Sequence, residues 1–379
     1  MAKLGRELRA KGIDVIDLSL GEPDFDTPEH IKQAAVQAIH DNWSHYPPVA
    51  GFPDLKEAIC YKFKRDNQLE YKPENIVVST GAKQSLANAV LALVDEGDEV
   101  IIPTPYWVTY SELVKIARGH VREIKTSAKD NFKITPEQLE DAITTHTNVF
   151  LFSSPCNPSG AFYSKKELED LVNVFRKYPN ITIISDEIYE YINFTGQHES
   201  IAQFEDIKDR VIIVNGLSKG FAMTGWRLGY IAASPEIAKA CEKIQGQFTS
   251  GANSIAQKAA VTALTTDLRP TIEMVNEFTA RRKKVLELVK EIPGIECSEP
   301  DGAFYIFPDI SSYFGKSDGH LTIHTSGDFC MYLLNTAHVS SVMGEAFGDP
   351  DCARFSFANS MKNIEEGWRR IKDALGKLR

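Results

Sequence analysis

The sequence lacks any apolar run that approaches the ~18 residues of a membrane-spanning helix. It also lacks an excess of positive charge, since 52 Asp and Glu residues outnumber 42 Lys and Arg residues and give a net charge of −10. We therefore do not expect a surface that binds nucleic acid or an anionic membrane, although a local basic pocket for a small anion is compatible with this balance. Internal repeats and low-complexity segments are absent as well, and the composition is that of a globular protein.

The six cysteines are scattered, and none forms the C-x-x-C pair of a zinc ribbon or a redox dithiol. Scattered cysteines in a chain of this length are typical of a reducing compartment, where thiols act as small apolar residues. Residues 1–16 are charged and helix-like, without the apolar segment of a secretion signal. We therefore expect a cytoplasmic protein and no metal site.

From about residue 29 to residue 235, amphipathic stretches alternate with short apolar runs. The stretches with helical spacing are 29–41, 54–67, 83–94, 135–144 and 164–178. The runs typical of buried strands are 75–80, 99–103, 121–125, 148–153, 181–186, 210–214 and 228–232. Strands that are apolar on both faces and alternate with helices predict a mostly parallel sheet with helices on both sides.

The pattern changes after Pro235, where a long helical region precedes short strands and a charged terminal helix. Pro270 is a start or a kink of that helical region. The length of 379 residues itself favours about two domains. We expect an α/β fold with a large domain over residues 28–270 and a smaller α+β domain made from residues 1–27 and 271–379.

A G-x-S-x-G pattern at Gly216–Gly220 directly follows the apolar run 210–214. Read as a nucleophile elbow, it would make Ser218 the nucleophile of a hydrolase, with a later histidine as the base. No HGGG-type oxyanion segment occurs upstream, and a pattern this short also matches by chance.

Lys219 offers a second interpretation of the same segment, because an amine in a partly desolvated pocket can condense with carbonyl compounds. Arg227 lies eight positions later in a Gly-rich, aromatic run, and Asp186 ends the apolar run 181–186. Since the carboxyl ends of strands build the sites of open α/β sheets, we expect these charges to meet there. The alternative is a surface lysine and an aspartate that caps a helix.

Two loops add polar groups at strand ends. Ser153–Gly160 contains two prolines and presents Asn157, although an ordinary turn has the same dipeptides. Ser79–Gln84 passes from a strand through Gly81 into a helix, whose N–H groups and positive dipole end would bind a phosphate. It is not a Walker loop, and every βα unit has such a turn.

Together with Pro105–Trp107 and Asp186–Tyr189, these segments resemble the pyridoxal-phosphate-dependent aminotransferases of fold type I, class I. The resemblance runs from Ser19–Asp24 to Arg354–Ser356, and within the family it is similar to bacterial aspartate aminotransferases with a lysine in the phosphate loop, here Lys83. The family implies pyridoxal 5'-phosphate as cofactor and small amino acid and 2-oxo acid substrates. It also implies a homodimer with active sites at the subunit interface.

The resemblance gives catalytic roles to Lys219, Asp186 and Tyr189. Lys219 would carry the cofactor as an internal aldimine and then move the substrate proton as general base and acid. Asp186 would keep the pyridine nitrogen protonated, so that the ring accepts electrons. Tyr189 and Asn157 would hydrogen-bond the phenolic oxygen of the ring.

Further contacts with the cofactor are implied for Gly81, Ala82, Lys83, Trp107, Ser218, Arg227 and, from the neighbouring subunit, Tyr46. Trp107 would stack on the ring, and Arg227 would bind the phosphate as a planar fork. Gly216 departs from the family pattern, because many relatives carry a phosphate-binding serine three positions before the lysine.

The implied reaction is ping-pong amino transfer from L-aspartate to 2-oxoglutarate, giving oxaloacetate and L-glutamate. The substrate would contact Gly21, Lys83, Trp107, Asn157 and Arg354. Arg354 would bind the α-carboxylate and Lys83 the second carboxylate, unless Lys83 only adds charge near the phosphate. Aromatic donors and prephenate stay open, the latter because Thr27 stands where prephenate-accepting relatives carry threonine. A lyase or decarboxylase of the same fold type and a non-enzymatic regulator that only binds the cofactor are further alternatives.

Overall fold

A seven-stranded sheet lies at the centre of the computed structural model, which describes residues 2–379. Over these residues the strands are β1 (Ile16–Asp17), β2 (Ile76–Ser79), β3 (Glu99–Pro103), β4 (His120–Ile124), β5 (Thr147–Ser153), β6 (Thr182–Asp186), β7 (Val211–Gly216), β8 (Gly229–Ala232), β9 (Tyr305–Ile306), β10 (Val339–Ser340), β11 (Val342–Met343) and β12 (Ala353–Ser356). The α-helices are α1 (Ala2–Ala10), α2 (Glu29–His40), α3 (Pro53–Lys62), α4 (Ala82–Leu93), α5 (Thr109–Ile116), α6 (Pro136–Ala142), α7 (Lys165–Phe175), α8 (Pro235–Phe248), α9 (Ser254–Thr265), α10 (Arg269–Lys290), α11 (Ser326–Tyr332) and α12 (Met361–Leu375).

The strand order of the large sheet is β2-β8-β7-β6-β5-β3-β4. All neighbouring strands are parallel except β8, which runs antiparallel to both β2 and β7. Successive side chains of a strand point to opposite faces, so Ile183 and Ile184 of β6 belong to the hydrophobic cores on the two sides of the sheet. The predicted α/β fold with a mostly parallel sheet is confirmed.

One prediction about a single element is wrong. The run 121–125 is not a strand buried on both faces, because β4 lies at the sheet edge, pairs with β3 and exposes His120 and Glu123. The helical region predicted after Pro235 consists of three helices, with breaks between α8 and α9, where Gly251 has a φ of +122°, and between α9 and α10. Pro270 stands in the first turn of α10, where its missing N–H costs no hydrogen bond.

A second hydrophobic core lies outside the large sheet and is built from both ends of the sequence. Strand β1 pairs with β10, placing Ile16 beside Val339, and β9, β11 and β12 form a separate small sheet. Helices α10 and α12 contribute Phe278 and Trp368 to this core. None of the helices in the described residues is long and apolar enough to cross a membrane.

Candidate active site

The carboxyl ends of the parallel strands meet at one edge of the large sheet, beside a cavity of about 320 Å³. Asp186 ends β6 opposite Ser153 of β5 and Val214 of β7. Ligands of open α/β sheets bind at this edge. Of the residues predicted from the sequence, the cavity is lined by Gly21, Ala82, Lys83, Trp107, Asn157, Asp186, Tyr189, Ser218, Lys219, Arg227 and Arg354. Gly81 is not among the described lining residues but directly precedes Ala82, which is. Tyr46 lies on the surface and is 93% exposed.

Lys219 follows β7 on the connection to β8. Its Nζ donates a hydrogen bond of 2.5 Å to the carbonyl oxygen of Gly21. Burial lowers the pKa of Lys219 to about 8, the nearby Arg354 and Arg227 charges act in the same direction, and Glu22 and Asp186 oppose them. A larger share of this amine is therefore neutral near pH 7 than of an ordinary lysine.

Asp186 lines the cavity and is buried. Burial raises the pKa of its carboxyl group to about 6. Two donors partly offset this effect, because Tyr110 Oη lies 2.6 Å from Oδ2 and the N–H of Ile188 lies 3.2 Å from Oδ1. The carboxylate therefore has hydrogen-bond partners but no directly bonded cation among the described side chains.

Arg227 and the start of α4 form a cationic end of the cavity. Gly81 has a φ of +83°, and a Cβ there would lie 2.4 Å from Arg227 Nη2, so this close approach requires glycine. The first N–H groups of a helix have no partner within it, and those of α4 add a partial positive charge. Lys83 Nζ lies 4.7 Å from the centre of the Trp107 ring, and burial, followed by the charge of Arg227, lowers the pKa of Lys83.

Arg354 also lines the cavity and lies on β12 between Ala353 and Phe355, which belong to the second core. Its Nη1 donates to Asn157 Oδ1 and its Nη2 to the carbonyl of Ser19, both at 2.8 Å. The ring of Tyr305 lies 4.4 Å from the guanidinium carbon, and the Tyr305 hydroxyl is 2.8 Å from that of Tyr189. Arg354 Nε is buried without a hydrogen-bond partner among the described residues. A planar anion fits such a fork.

Five lining residues were not predicted as site residues: Tyr110, Ser153, Ile188, Thr224 and Tyr305. Tyr110 follows Trp107 by three positions, a spacing that places both on one side of a helical turn. Tyr305 belongs to the run Phe304–Phe307, whose apolar and aromatic residue types are also typical of a buried core. The signal for Tyr110 was therefore present, whereas that for Tyr305 was ambiguous.

The position of Ser218 bears on the hydrolase interpretation. Its hydroxyl lines the cavity beside Lys219, but no histidine is among the described lining residues. A serine nucleophile requires an adjacent general base. The G-x-S-x-G pattern therefore lacks the histidine base that the hydrolase interpretation requires.

The residues present fit pyridoxal 5'-phosphate. An amine with a lowered pKa suits its aldehyde, a buried carboxylate suits its ring nitrogen, and Arg227 with the start of α4 suits its phosphate. A cavity of about 320 Å³ lies in the range of small-molecule sites. The fold and this chemistry define a pyridoxal-phosphate-dependent enzyme of fold type I.

The sequence model of the family "Aminotransferase class I and II" matches residues 13–371, and the chain belongs to this family. It is 46% identical over 378 residues to the aspartate/prephenate aminotransferase of Nitrosomonas europaea, covering 99% of this chain and 95% of that protein. The crystal structure of aspartate aminotransferase from Rhizobium meliloti is similar with a TM-score of 0.96 at 43% identity, covering 100% of this chain and 95% of that one. For the Thermus thermophilus aspartate aminotransferase with maleate, the TM-score is 0.92 at 37% identity, and the match covers 98% of this chain and 95% of that one.

Proposed function

We propose that this aminotransferase transfers the amino group of L-aspartate to 2-oxoglutarate. The observation that carries the proposal is a pair of cations, Arg354 and Lys83, on the cavity that also contains the Lys219 amine. A dicarboxylic amino acid needs one cation for each carboxylate. The relatives support the same substrate class, since one of them was solved with maleate, a dicarboxylate.

Lys219 is the base of the proposed mechanism. The bound cofactor supplies an electrophilic carbon for the amino group and a ring that withdraws electrons. Lys219 Nζ would hold the cofactor until the substrate amino group displaces it. The freed amine would then take the proton from the substrate Cα and deliver it to the cofactor carbon that bears the amino group. Because burial lowers the pKa of Lys219 to about 8, a usable fraction of the amine is neutral at neutral pH.

The other residues orient the two ligands. Asp186 would bind the ring nitrogen, and Tyr189 and Asn157 would bind the ring oxygen. Since Asn157 Oδ1 accepts from Arg354, the amide nitrogen of Asn157 is the group that donates to the cofactor. Trp107 packs on the ring. The phosphate would be bound by Gly81, the backbone N–H groups of Ala82 and Lys83, Ser218 and Arg227. The substrate α-carboxylate would be bound by Arg354 beside the backbone of Gly21.

The substrate proposal is tested by a donor screen of wild type and Lys83→Ala. We expect the variant to lose about 2–4 kcal/mol in kcat/KM for aspartate, the range for breaking a desolvated ion pair. Alanine and phenylalanine have no second carboxylate and should change little, so they are the internal control. Equal losses with all donors would assign Lys83 to the cofactor and leave the proposed aspartate preference without a source.

Prephenate is a second candidate substrate, favoured by the aspartate/prephenate relative at 46% identity. Prephenate also carries two carboxylates, which suits Arg354 and Lys83. Thr27 does not act from the described cavity lining, because its hydroxyl donates to the carbonyl of Ala222 and accepts from the Trp226 indole. Including prephenate as acceptor in the donor screen tests this candidate, and the absence of turnover with aspartate would reject it.

We also propose a homodimer in which Tyr46 reaches the phosphate site of the partner subunit. Tyr46 is 93% exposed, and Phe248 nearby in the fold is 70% exposed. The two segments that carry these side chains are in contact, since Val49 lies beside Gly246 and Pro47 beside Gly251. Exposed aromatic patches of this kind mark protein interfaces.

Mixing two inactive or weakened variants tests the shared site. Lys219→Ala removes the base of one subunit, and Tyr46→Ala removes the contact offered to its neighbour. A hybrid dimer of the two contains one unchanged site, so mixing should restore roughly a quarter of wild-type activity. If Tyr46 acts within its own subunit, mixing gives only the average of the separate variants.

A cytoplasmic location completes the proposal. Cys241 and Cys330 are buried, and burial raises the pKa of each thiol to about 12. Such thiols act as apolar core residues, which fits a compartment that keeps cysteines reduced.

A further inference from the structure

Asp186 has a neighbour, Tyr110, to which the proposed function gives no role. The phenol of Tyr110 donates to Asp186 Oδ2 at 2.6 Å. Tyr110 is the second residue of α5 and is 1% exposed, so this hydrogen bond is shielded from solvent. A short hydrogen bond to a carboxylate in such surroundings is among the strong ones in proteins.

The chemistry of Tyr110 suits a carboxylate that has to stay charged. Burial alone favours the neutral acid, and it raises the pKa of Asp186. Burial, followed by the charge of Asp186, raises the pKa of Tyr110 well above its ordinary value, so the phenol remains a neutral donor. A neutral donor stabilises the carboxylate and leaves its negative charge uncompensated, whereas a lysine or arginine would neutralise that charge. The negative charge therefore stays available to a cation in the cavity.

Tyr110 is itself held in place by Trp107. The N–H of Tyr110 donates to the carbonyl of Trp107 at 2.8 Å, and the two rings meet edge to face with centroids 5.8 Å apart. Both side chains line the cavity. One helical turn therefore carries both Trp107 and the partner of Asp186.

We propose that Tyr110 is a positioning residue, which keeps Asp186 ionised and oriented to bind the protonated ring nitrogen of the cofactor. The inference rests on the proposed function, which assigns that nitrogen to Asp186. Other ionisable groups that face Asp186 are Glu187, Tyr189, Lys219 and Cys156. Among the described residues, Tyr110 is the one that places a side-chain donor on this carboxylate.

The test compares Tyr110→Phe with Tyr106→Phe as a matched control. Tyr106 is also buried and donates to a carboxylate, Glu123 Oε1 at 2.8 Å, but it is absent from the described cavity lining. Each apoprotein is titrated with pyridoxal 5'-phosphate and with its analogue that has a C–H in place of the ring nitrogen. We expect Tyr110→Phe to weaken binding of the natural cofactor about tenfold and to leave the analogue unchanged.

A second readout is the protonation of the ring nitrogen, followed by ¹⁵N NMR of the labelled cofactor bound to each protein. In Tyr110→Phe the nitrogen should lose its proton about one pH unit or more below the wild-type value, and Tyr106→Phe should match wild type. Equal weakening of cofactor and analogue, or equal effects of both variants, would overturn the proposal. Wild type that fails to bind the cofactor rejects the proposed function, and the role of Tyr110 with it.

A pair of variants with a neutral residue at position 186 keeps the test valid if Tyr110→Phe does not fold. Asp186→Asn and the double variant Asp186→Asn/Tyr110→Phe carry no charge for the phenol to stabilise. Their affinities for pyridoxal 5'-phosphate should agree within about twofold. A further tenfold loss in the double variant would show that Tyr110 acts by packing alone, against the proposal.

Discussion

Lys219 and Asp186 share one cavity, and burial shifts both of them toward their neutral forms. The pKa of Lys219 falls to about 8 and that of Asp186 rises to about 6. The difference between the two pKa values is therefore much smaller than between an ordinary lysine and an ordinary aspartate. For the amine this shift is useful, because the base must be neutral. For the carboxylate it works against the proposed role, and hydrogen bonds from Tyr110 and Ile188 counteract it.

The lowered pKa of Lys219 predicts how fast the apoprotein attaches its cofactor. Only the neutral amine reacts with an aldehyde, so the rate should rise about tenfold per pH unit below pH 8 and level off above it. Stopped-flow absorbance after mixing with pyridoxal 5'-phosphate measures this rate, with Lys219→Ala as the blank. A rate that is constant from pH 5 to 9 would contradict the assignment.

Sequence reasoning found the charged residues of the site but not all of their partners. Lys219 and Asp186 stand out because each ends or follows an apolar run, a local signal. The contact between Tyr110 and Asp186 joins positions 76 apart, and that between Arg354 and Asn157 joins positions 197 apart. No local pattern encodes such pairs, since they depend on how strands and helices are arranged in space.

Among the elements, the turn between β2 and α4 depends most closely on one residue. Gly81 adopts a positive φ and lies against the Arg227 guanidinium, and Arg227 itself has a φ of +56°. Both conformations bring the cation to the first turn of α4. The helix start and the arginine therefore form one anion site, which neither would provide alone.

Gly81→Ala should separate backbone strain from cofactor binding when it is compared with Gly97→Ala. Both glycines have a positive φ, but an added Cβ at Gly97 meets no atom within 4 Å. Each variant should lose about 1 kcal/mol of unfolding free energy, measured by denaturant titration. Gly81→Ala alone should weaken pyridoxal 5'-phosphate about tenfold or more, because Arg227 must move.

Pyridoxal without phosphate is the control ligand for this comparison. Its affinity should be nearly the same for both variants, since it has no group for Arg227 to bind. If Gly97→Ala weakens the phosphate form as much as Gly81→Ala does, the Gly81–Arg227 contact is not the cause.

Element bounds were predictable where the apolar signal was strong. Strand β3 has the predicted residues 99–103, and β6 ends at Asp186 as expected. The edge position of β4 was not predictable, because an apolar run shows that a strand is buried but not how many neighbours it has. The breaks around α9 also escaped prediction, since polar residues on the exposed side of a helix resemble those of a short loop.

At the scale of the molecule, we propose that the chain forms two domains, residues 28–270 and residues 1–27 with 271–379. The first contains the large sheet, whereas Ile16 and Leu18 belong to the second core with Val339 and Phe355. Segment 16–18 is therefore close in sequence to α2 but tied by hydrogen bonds to strands more than three hundred residues away.

Hydrogen exchange in mild denaturant tests this division. The amides of Ile16 and Leu18 donate to His338 and Ser340, so they should exchange in step with the amide of Ser356 rather than with those of α2. Different denaturant dependences of the two groups are the expected result. Exchange of segment 16–18 together with α2, or of all amides as one unit, would reject the proposed boundary.

The antiparallel strand β8 has a consequence for the order in which the chain is assembled. It is hydrogen-bonded between β2 and β7, so β2 stays without this neighbour until residues 229–232 have been synthesised. A growing chain that ends before β8 therefore exposes unpaired edges on β2 and β7. In that chain the Lys219–Arg227 loop is anchored only at its β7 end, because β8 does not yet exist. We therefore expect the sheet to close only after residues 229–232 have been synthesised, and the cofactor site to form no earlier.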